Sequence, residues 1–199
     1  MSSRAAHARS MNRILSLTVL TLALTSCGGT APLPSTPFIV GQVDVAGLQP
    51  DAISHTAVEG VPHIPVPVAL NGQFQLPLPA DPSPDGTFYG SPLCSGTVIQ
   101  SNTQAQFMTL STDRLRLWHH GTLQGFVTTR RLQGDNVYTY EYVYATLPTI
   151  VRGEQLCGNV TKTFALDYQQ GWNLVEWTLT GNHLTLGSVA NQRLTWRRP

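Results

Sequence analysis

The amino-acid sequence predicts an all-β protein, an antiparallel β-sandwich or partly open barrel, behind an exported N-terminus. Three observations point there. Beyond residue 37 the apolar positions recur with period two rather than 3.6. The 17 glycines and 14 prolines in 199 residues interrupt the chain too often for long helices. No ten-residue stretch of that region carries convincing helical periodicity. A hydrophobic content of 41% is too high for a disordered chain. The charged share of 12% is about half of the usual value. These figures exclude a strongly basic nucleic-acid binder, a coiled coil and a polytopic membrane protein.

The folded region is expected over 38–199 as a single domain. Ile64, Val66, Val68 and Leu70 alternate with His63, Pro65, Pro67 and Ala69. Prolines on the outward side mark an edge strand or a polyproline segment, because proline cannot donate to a central ladder. Asn71-Gly72 reads as a two-residue hairpin turn. It leads into Phe74, Leu76 and Leu78, which alternate with Gln73, Gln75 and Pro77. Asp81-Pro82-Ser83-Pro84-Asp85-Gly86 is the best internal loop, and a subdivision near 81–88 would fall there. Residues 38–80 alone are too few to bury a good core, which favours one domain. Leu115 and Leu117 alternate with Arg114, Arg116 and Trp118. Val175, Trp177 and Leu179 alternate with Leu174, Glu176 and Thr178, and Gly181-Asn182 turns the chain into His183–Leu186. Leu194 and Trp196 belong to a last strand. The segments Ile39-Val40-Gly41-Gln42-Val43 and Asn71-Gly72-Gln73-Phe74-Gln75-Leu76-Pro77-Leu78-Pro79 resemble transthyretin-like and carboxypeptidase-regulatory-like modules. In those modules a Gly-centred first strand and a G-x-F-x-L pattern recur. The resemblance implies a β-sandwich and carries no functional residue across.

The N-terminus reads as an address. Residues 14–24 form an uncharged, mostly apolar run of 11 residues preceded by Arg4, Arg9 and Arg13. About 20 residues are needed to span a bilayer as a helix, so the pattern is a signal peptide, residues 1–26. Met11-Asn12-Arg13 is a sufficient basic start by itself. Leu24-Thr25-Ser26-Cys27-Gly28-Gly29 resembles the lipobox of bacterial lipoproteins. The resemblance implies that the Cys27 thiol takes a diacylglyceryl group and becomes the new N-terminus, anchoring the protein to the outside of a membrane of the cell envelope. Each buried CH₂ contributes about 0.8 kcal/mol, so two or three acyl chains of the palmitate type hold stably where one is marginal. Residues 27–37, rich in Gly, Pro, Ser and Thr, make a semi-extended tether.

With Cys27 assigned to lipid, Cys94 and Cys157 remain. In an oxidising compartment a pair of thiols is most simply a disulfide. Loss of Arg4, Arg9 and Arg13 from the 12 basic residues leaves nine against 11 acidic ones. No polybasic stripe for phospholipid or nucleic acid is visible along the sequence, and Lys162 is its only lysine.

The most unusual segment is Val137-Tyr138-Thr139-Tyr140-Glu141-Tyr142-Val143-Tyr144. In a strand, Tyr138, Tyr140, Tyr142 and Tyr144 share one face, a plate of about 20 Å at about 3.3 Å per residue. Such a plate can stack on sugar rings or a flat protein surface, or it can line the core with its hydroxyls at the rim. His119-His120 invites a metal, but neighbours on a strand point to opposite faces unless a turn intervenes, as Gly121 suggests. His55 and His63 bring no further ligand at a metal spacing. The carboxylates are scattered, and no nucleophile elbow, phosphate loop or dinucleotide fingerprint occurs. Trp172 and Trp177 fall on opposite faces of their strand. The expectation is therefore a non-catalytic binding or structural lipoprotein of the bacterial envelope, without cofactor or metal. Its partners are the membrane through Cys27 and an envelope polysaccharide or protein, not nucleic acid. The competing expectation is a hydrolase of envelope polymer whose residues converge only in space.

Overall fold

The computed structural model describes residues 37–47, 49–55, 64–80, 82–84, 86, 93–112 and 114–199. The signal peptide, Cys27 and most of the tether lie outside them, as does His63. The described residues contain strands and no helix, and Ser35–Pro199 is one compact unit. In chain order the strands are β1 (Phe38–Asp44), β2 (Ala52–His55), β3 (Val66–Pro67), β4 (Gln73–Pro77), β5 (Ser95–Gln100), β6 (Phe107–Ser111), β7 (Leu115–His119) and β8 (Thr122–Val127). There follow β9 (Arg131–Gln133), β10 (Asn136–Ala145), β11 (Thr149–Cys157), β12 (Val160–Tyr168), β13 (Gly171–Thr180), β14 (His183–Val189) and β15 (Leu194–Arg197).

They make three sheets. A small one runs β15-β1-β4, a second β3-β2-β7-β8, and a large one β5-β11-β12-β14-β13-β10-β6, with β9 also pairing β10. The sheets do not close into a barrel; the arrangement is that of a β-sandwich. Most pairs are antiparallel, but β1 with β15 and β12 with β14 are parallel. The second case has a local cause. β12 and β13 diverge from the Gln169–Gln170 connection, and β14, folded back on β13 by the Gly181-Asn182 turn, fills the gap between them. The Asn173 side chain holds that connection, accepting from the Gln169 N–H at 2.9 Å and donating to the Gln169 carbonyl at 2.8 Å.

The turn at Asn71-Gly72 forms, but not as a hairpin within one sheet. Its incoming arm β3 pairs β2, whereas its outgoing arm β4 pairs β1. Pro65 and Pro67 leave too few donors for a ladder with β4, and Ile64 and Leu70 stay 69% and 91% exposed. The turn is a corner between sheets. Gly72 sits at φ 79° with the Val43 carbonyl against the place a Cβ would take, and Val43 N–H donates to the Gly72 carbonyl at 2.9 Å.

Two cores result. Ile39, Phe74, Leu76, Ile53, Leu117, Tyr142 and Trp196 belong to one, where the two smaller sheets meet one face of the large sheet. Val143, Val151, Phe164, Leu166, Val175 and Leu186 belong to the other, on the opposite face of the large sheet. β10 lies between them: Tyr140 and Tyr142 enter the first core, Val143 and Ala145 the second. Gly41, in the middle of β1, leaves room for the rings of Phe74 and Trp196, which meet edge-on at 5.2 Å.

Cys94 and Cys157 are disulfide-bonded, with Cα atoms 4.5 Å apart and a sequence separation of 63. The bridge ties the start of β5 to the end of β11, the last pair at that edge of the large sheet.

Two outcomes follow for stability. Gly41→Val places methyl groups against the buried Trp196 ring and should destabilise by about 1–3 kcal/mol. Urea unfolding monitored by tryptophan fluorescence would measure it, and an unchanged midpoint would contradict the packing. Cys94→Ser with Cys157→Ser removes a loop closure of about 4 kcal/mol. The wild-type protein should therefore melt lower with dithiothreitol than without, and the double variant should not respond to the reductant.

Candidate binding site

The four tyrosines of β10 do share a face, as period two requires, but that face is packed. Tyr140 and Tyr142 are 8% and 1% exposed, and Tyr138 and Tyr144 are half-buried. Each hydroxyl or ring has protein around it. The Tyr140 hydroxyl donates to the Glu176 carboxylate at 2.6 Å, and that of Tyr142 donates to Asn191 Oδ1 at 3.2 Å. Tyr138 accepts from the Asn136 side-chain amide at 3.3 Å, and the Arg131 guanidinium lies 4.6 Å over its ring. Tyr144 meets Trp172 edge-on at 5.5 Å, and the Trp172 indole N–H donates to the Pro79 carbonyl at 3.0 Å. An open plate for a sugar ring is thus not what Tyr140 and Tyr142 provide. Val143 on the other face is also buried. A strand wedged between two cores needs large residues on both sides, which an amphipathic surface strand would not have.

His119 ends β7 and His120 begins its turn at φ 49°, so the pair bends onto one side. Their rings lie 4.1 Å apart, with Nδ1 atoms 4.0 and 3.5 Å from Asp51 Oδ2. The His120 N–H donates to the same oxygen at 2.6 Å. Asp51 thus fastens the β7–β8 turn to the start of β2. Among the described residues no group of three or more His, Cys, Asp or Glu is arranged to hold a metal ion. His55 is buried with Nε2 3.2 Å from the Pro77 carbonyl.

What the linear sequence concealed is a cluster of arginines. Leu194 and Trp196 of β15 point into the first core, so Arg193, Thr195 and Arg197 fall on the outward side. The Trp196 indole N–H donates to the Thr112 carbonyl at 3.0 Å, and the Thr112 hydroxyl donates to the Tyr140 carbonyl at 2.6 Å. Those bonds fix β15 against β10. On the other flank, Thr128 and Arg197 exchange two backbone hydrogen bonds of 2.8 and 2.9 Å. That bridge draws the Thr128–Arg131 segment alongside β15. The result is a cleft of about 190 Å³ lined by Arg130, Arg131, Arg193 and Arg197, with Tyr140 in its wall. Arg197 is paired with Asp44 at 3.4 Å. Glu176 is engaged by the Tyr140 hydroxyl.

No basic stripe is visible along the chain, because the arginines of the cleft are far apart in it. Arg130-Arg131 and Arg193…Arg197 are more than sixty positions apart, and the Thr128–Arg197 bridge brings them together. The parity of Arg193 and Arg197 around Leu194 and Trp196 was the one available signal. Chemically the cleft presents planar guanidinium donors, which suit carboxylate, phosphate or sulfate groups better than ammonium groups do.

Comparison with protein-family models, curated proteins and solved structures returns no match.

The wall of the cleft has a measurable titration. Burial first, then the hydrogen bond and charge of Glu176, pushes the Tyr140 phenol up to about 12, and burial pushes Tyr142 up to about 12 as well. Both values exceed the unfolded value of about 10. Their contribution to stability is thus complete below pH 10 and is lost as pH rises toward 12. Absorbance titration near 295 nm should show Tyr140 and Tyr142 ionising late, together with loss of stability. Tyr142→Phe should remove one of the late groups. Six ordinary titrations would contradict the burial.

Proposed function

We propose that this protein is a lipid-anchored, extracytoplasmic lipoprotein of the bacterial envelope, serving as a non-catalytic binding module for an envelope component that carries negative charge. The arginine-lined cleft is the observation that carries the binding half of this reading. Arginines gathered around one small concavity repel one another even with Arg197 offset by Asp44, and an anionic ligand relieves that repulsion. The lipobox-like Leu24-Thr25-Ser26-Cys27 segment and the basic, apolar leader carry the anchoring half. The Cys94–Cys157 bridge supports it, since such bonds persist in oxidising compartments. The ligand is an envelope polysaccharide or the acidic surface of a protein, and the tether of residues 27–37 gives the domain reach to it.

Each half has its own experiment. Cells supplied with labelled palmitate should label the wild-type chain and not Cys27→Ser, which should move to the soluble fraction. Retained label in the variant would remove the anchor. The detergent-solubilised protein should bind a sulfated polysaccharide resin and elute with salt. Arg131→Gln with Arg193→Gln should elute at clearly lower salt, with an unchanged melting temperature. Identical elution would remove the cleft from the function.

A further inference from the structure

The large sheet ends at β5, whose ladder partner is β11 on one side alone. The two strands pair in unbroken register over Ser95–Gln100, and just beyond it the Ser101 N–H donates to the Ile150 carbonyl at 2.9 Å. In an antiparallel ladder the hydrogen-bonding groups of successive residues alternate between the two sides. With Ser101 turned toward β11, Ile99, Thr97 and Ser95 turn the same way. The backbone N–H and C=O groups of Gly96, Val98 and Gln100 therefore point outward, unpaired among the described residues. Ser95, Gly96, Thr97 and Ile99 are exposed, and Ile99 is so at 66%. Every other sheet end carries an interruption. Pro67 stands in β3 and Pro77 in β4. β8 holds Gln124 as an extra residue against β7. Gly86 exchanges two backbone hydrogen bonds with Phe107 of β6, and Thr128 two with Arg197 of β15. Prolines, bulges and covering segments keep an edge strand from pairing with another chain. β5, Ser-Gly-Thr-Val-Ile-Gln, has no proline and no charge, and no described segment covers it.

We propose that β5 pairs antiparallel with β5 of a second copy of this chain, joining two large sheets across a two-fold axis at Val98. The strand is complementary to its own image. With Val98 opposite the partner's Val98, Gly96 meets the partner's Gln100 and Gln100 meets the partner's Gly96. The outward positions are symmetric about Val98, so this one register satisfies all of them on both copies. Between them Thr97 faces the partner's Ile99, a pair of β-branched side chains on the exposed side of the sheet, where each covers apolar surface of the other. Charge favours an identical partner as well. A charged edge strand sets like charges against each other at a two-fold axis, and β5 has none to set. Arg152 and Glu154 of the neighbouring β11 stand one strand back from the junction. One pair of six-residue strands makes a small interface, so the association is weak and depends on concentration. It does not draw on the arginine-lined cleft, whose wall residue Tyr140 lies on β10, next to the opposite end of the sheet.

The test uses the full chain with detergent micelles in large excess, so that copies do not share a micelle by chance. Sedimentation equilibrium should show a monomer passing into a dimer as the concentration rises. Amide hydrogen exchange, read by NMR over the same range, should slow at Gly96, Val98 and Gln100 and stay unchanged at Thr97 and Ile99, whose N–H groups already serve β11. Val98→Pro removes an N–H that β11 does not use. It deletes two hydrogen bonds from the symmetric pair and should weaken the dimer at least about tenfold. Ile99→Lys, at an exposed position, changes two cross-strand pairs and should weaken it about fivefold. Mixing Ile99→Lys with Thr97→Glu sets opposite charges face to face in the register centred on Val98, and should give a heterodimer about threefold tighter than either variant alone. Melting curves verify that each variant keeps its fold, and Ile99→Lys carries the test if Val98→Pro does not fold. A chain that stays monomeric at every concentration overturns the proposal. So does a dimer indifferent to Val98→Pro and Ile99→Lys, or one that leaves exchange at Gly96, Val98 and Gln100 unchanged, because its contact lies elsewhere. A mixture that associates no better than its components overturns the register.

Discussion

The indole of Trp196 is wholly buried, and three distant pieces of chain depend on where it sits. Its ring packs edge-on against Phe74 of β4. Its N–H reaches the Thr112 carbonyl beyond β6, and Thr112 passes the connection on to the backbone of β10. Its strand runs parallel to β1, with Val43 opposite it. A buried indole N–H without an acceptor would cost about 1–3 kcal/mol, so the Thr112 carbonyl fixes the orientation of the ring as well as its depth. Strand geometry then leaves no choice for its neighbours: with Leu194 and Trp196 inside, Arg193 and Arg197 must be outside. The charge cluster is a consequence of the way the last strand fills the core.

β10 shows the same coupling from the other side. It is the strand that both cores share, and its register with β13 over Asn136–Ala145 is unbroken. Burying tyrosine rather than phenylalanine at positions 140 and 142 requires acceptors for the hydroxyls. Glu176, directly across on β13, serves Tyr140, and Asn191, in the segment leading to β15, serves Tyr142. The second bond reaches the same segment that carries Gln192 and Arg193 to the cleft. Tyrosine at these positions is therefore structural in a specific sense: its ring fills the core and its hydroxyl pins the approach to the last strand.

The period-two pattern made the strands legible because it reports burial on one face, and it served best where one face is wet. It identified β4, β7, β13 and the Gly181-Asn182 hairpin from residues such as Phe74, Leu117 and Val175. It left two readings open where a strand is covered on both faces. On β10 the alternation of tyrosine with valine looks amphipathic, yet both parities are buried at Tyr142 and Val143. It also could not tell which sheet a strand joins. Asn71-Gly72 announced a turn, and the prolines before it decided that the two arms would part company. The parallel pairs escaped for a related reason, since local pattern says nothing about the partner of β15 or of β12. The disulfide was readable by counting thiols, whereas the arginine cluster depended on a backbone bridge between Thr128 and Arg197 that no local spacing encodes.

Net charge was a poor guide to the surface for a physical reason. Screening at physiological salt confines the influence of an exposed charge to about 8 Å. A ligand at the cleft therefore senses Arg130, Arg131, Arg193 and Arg197 together with the carboxylates of Asp44 and of Glu176 behind Tyr140, and is largely blind to acids on remote strands. Glu154, beside Thr163 on the outer face of β11 and β12, and Asp167, paired with Arg152 at 2.8 Å, lower the overall charge without touching that local field. The near balance of 12 basic and 11 acidic residues is the sum of segregated parts. A chain that looks almost neutral in composition can thus carry a concave cationic surface, provided that its fold places the outward parity of one strand beside the connection from another sheet.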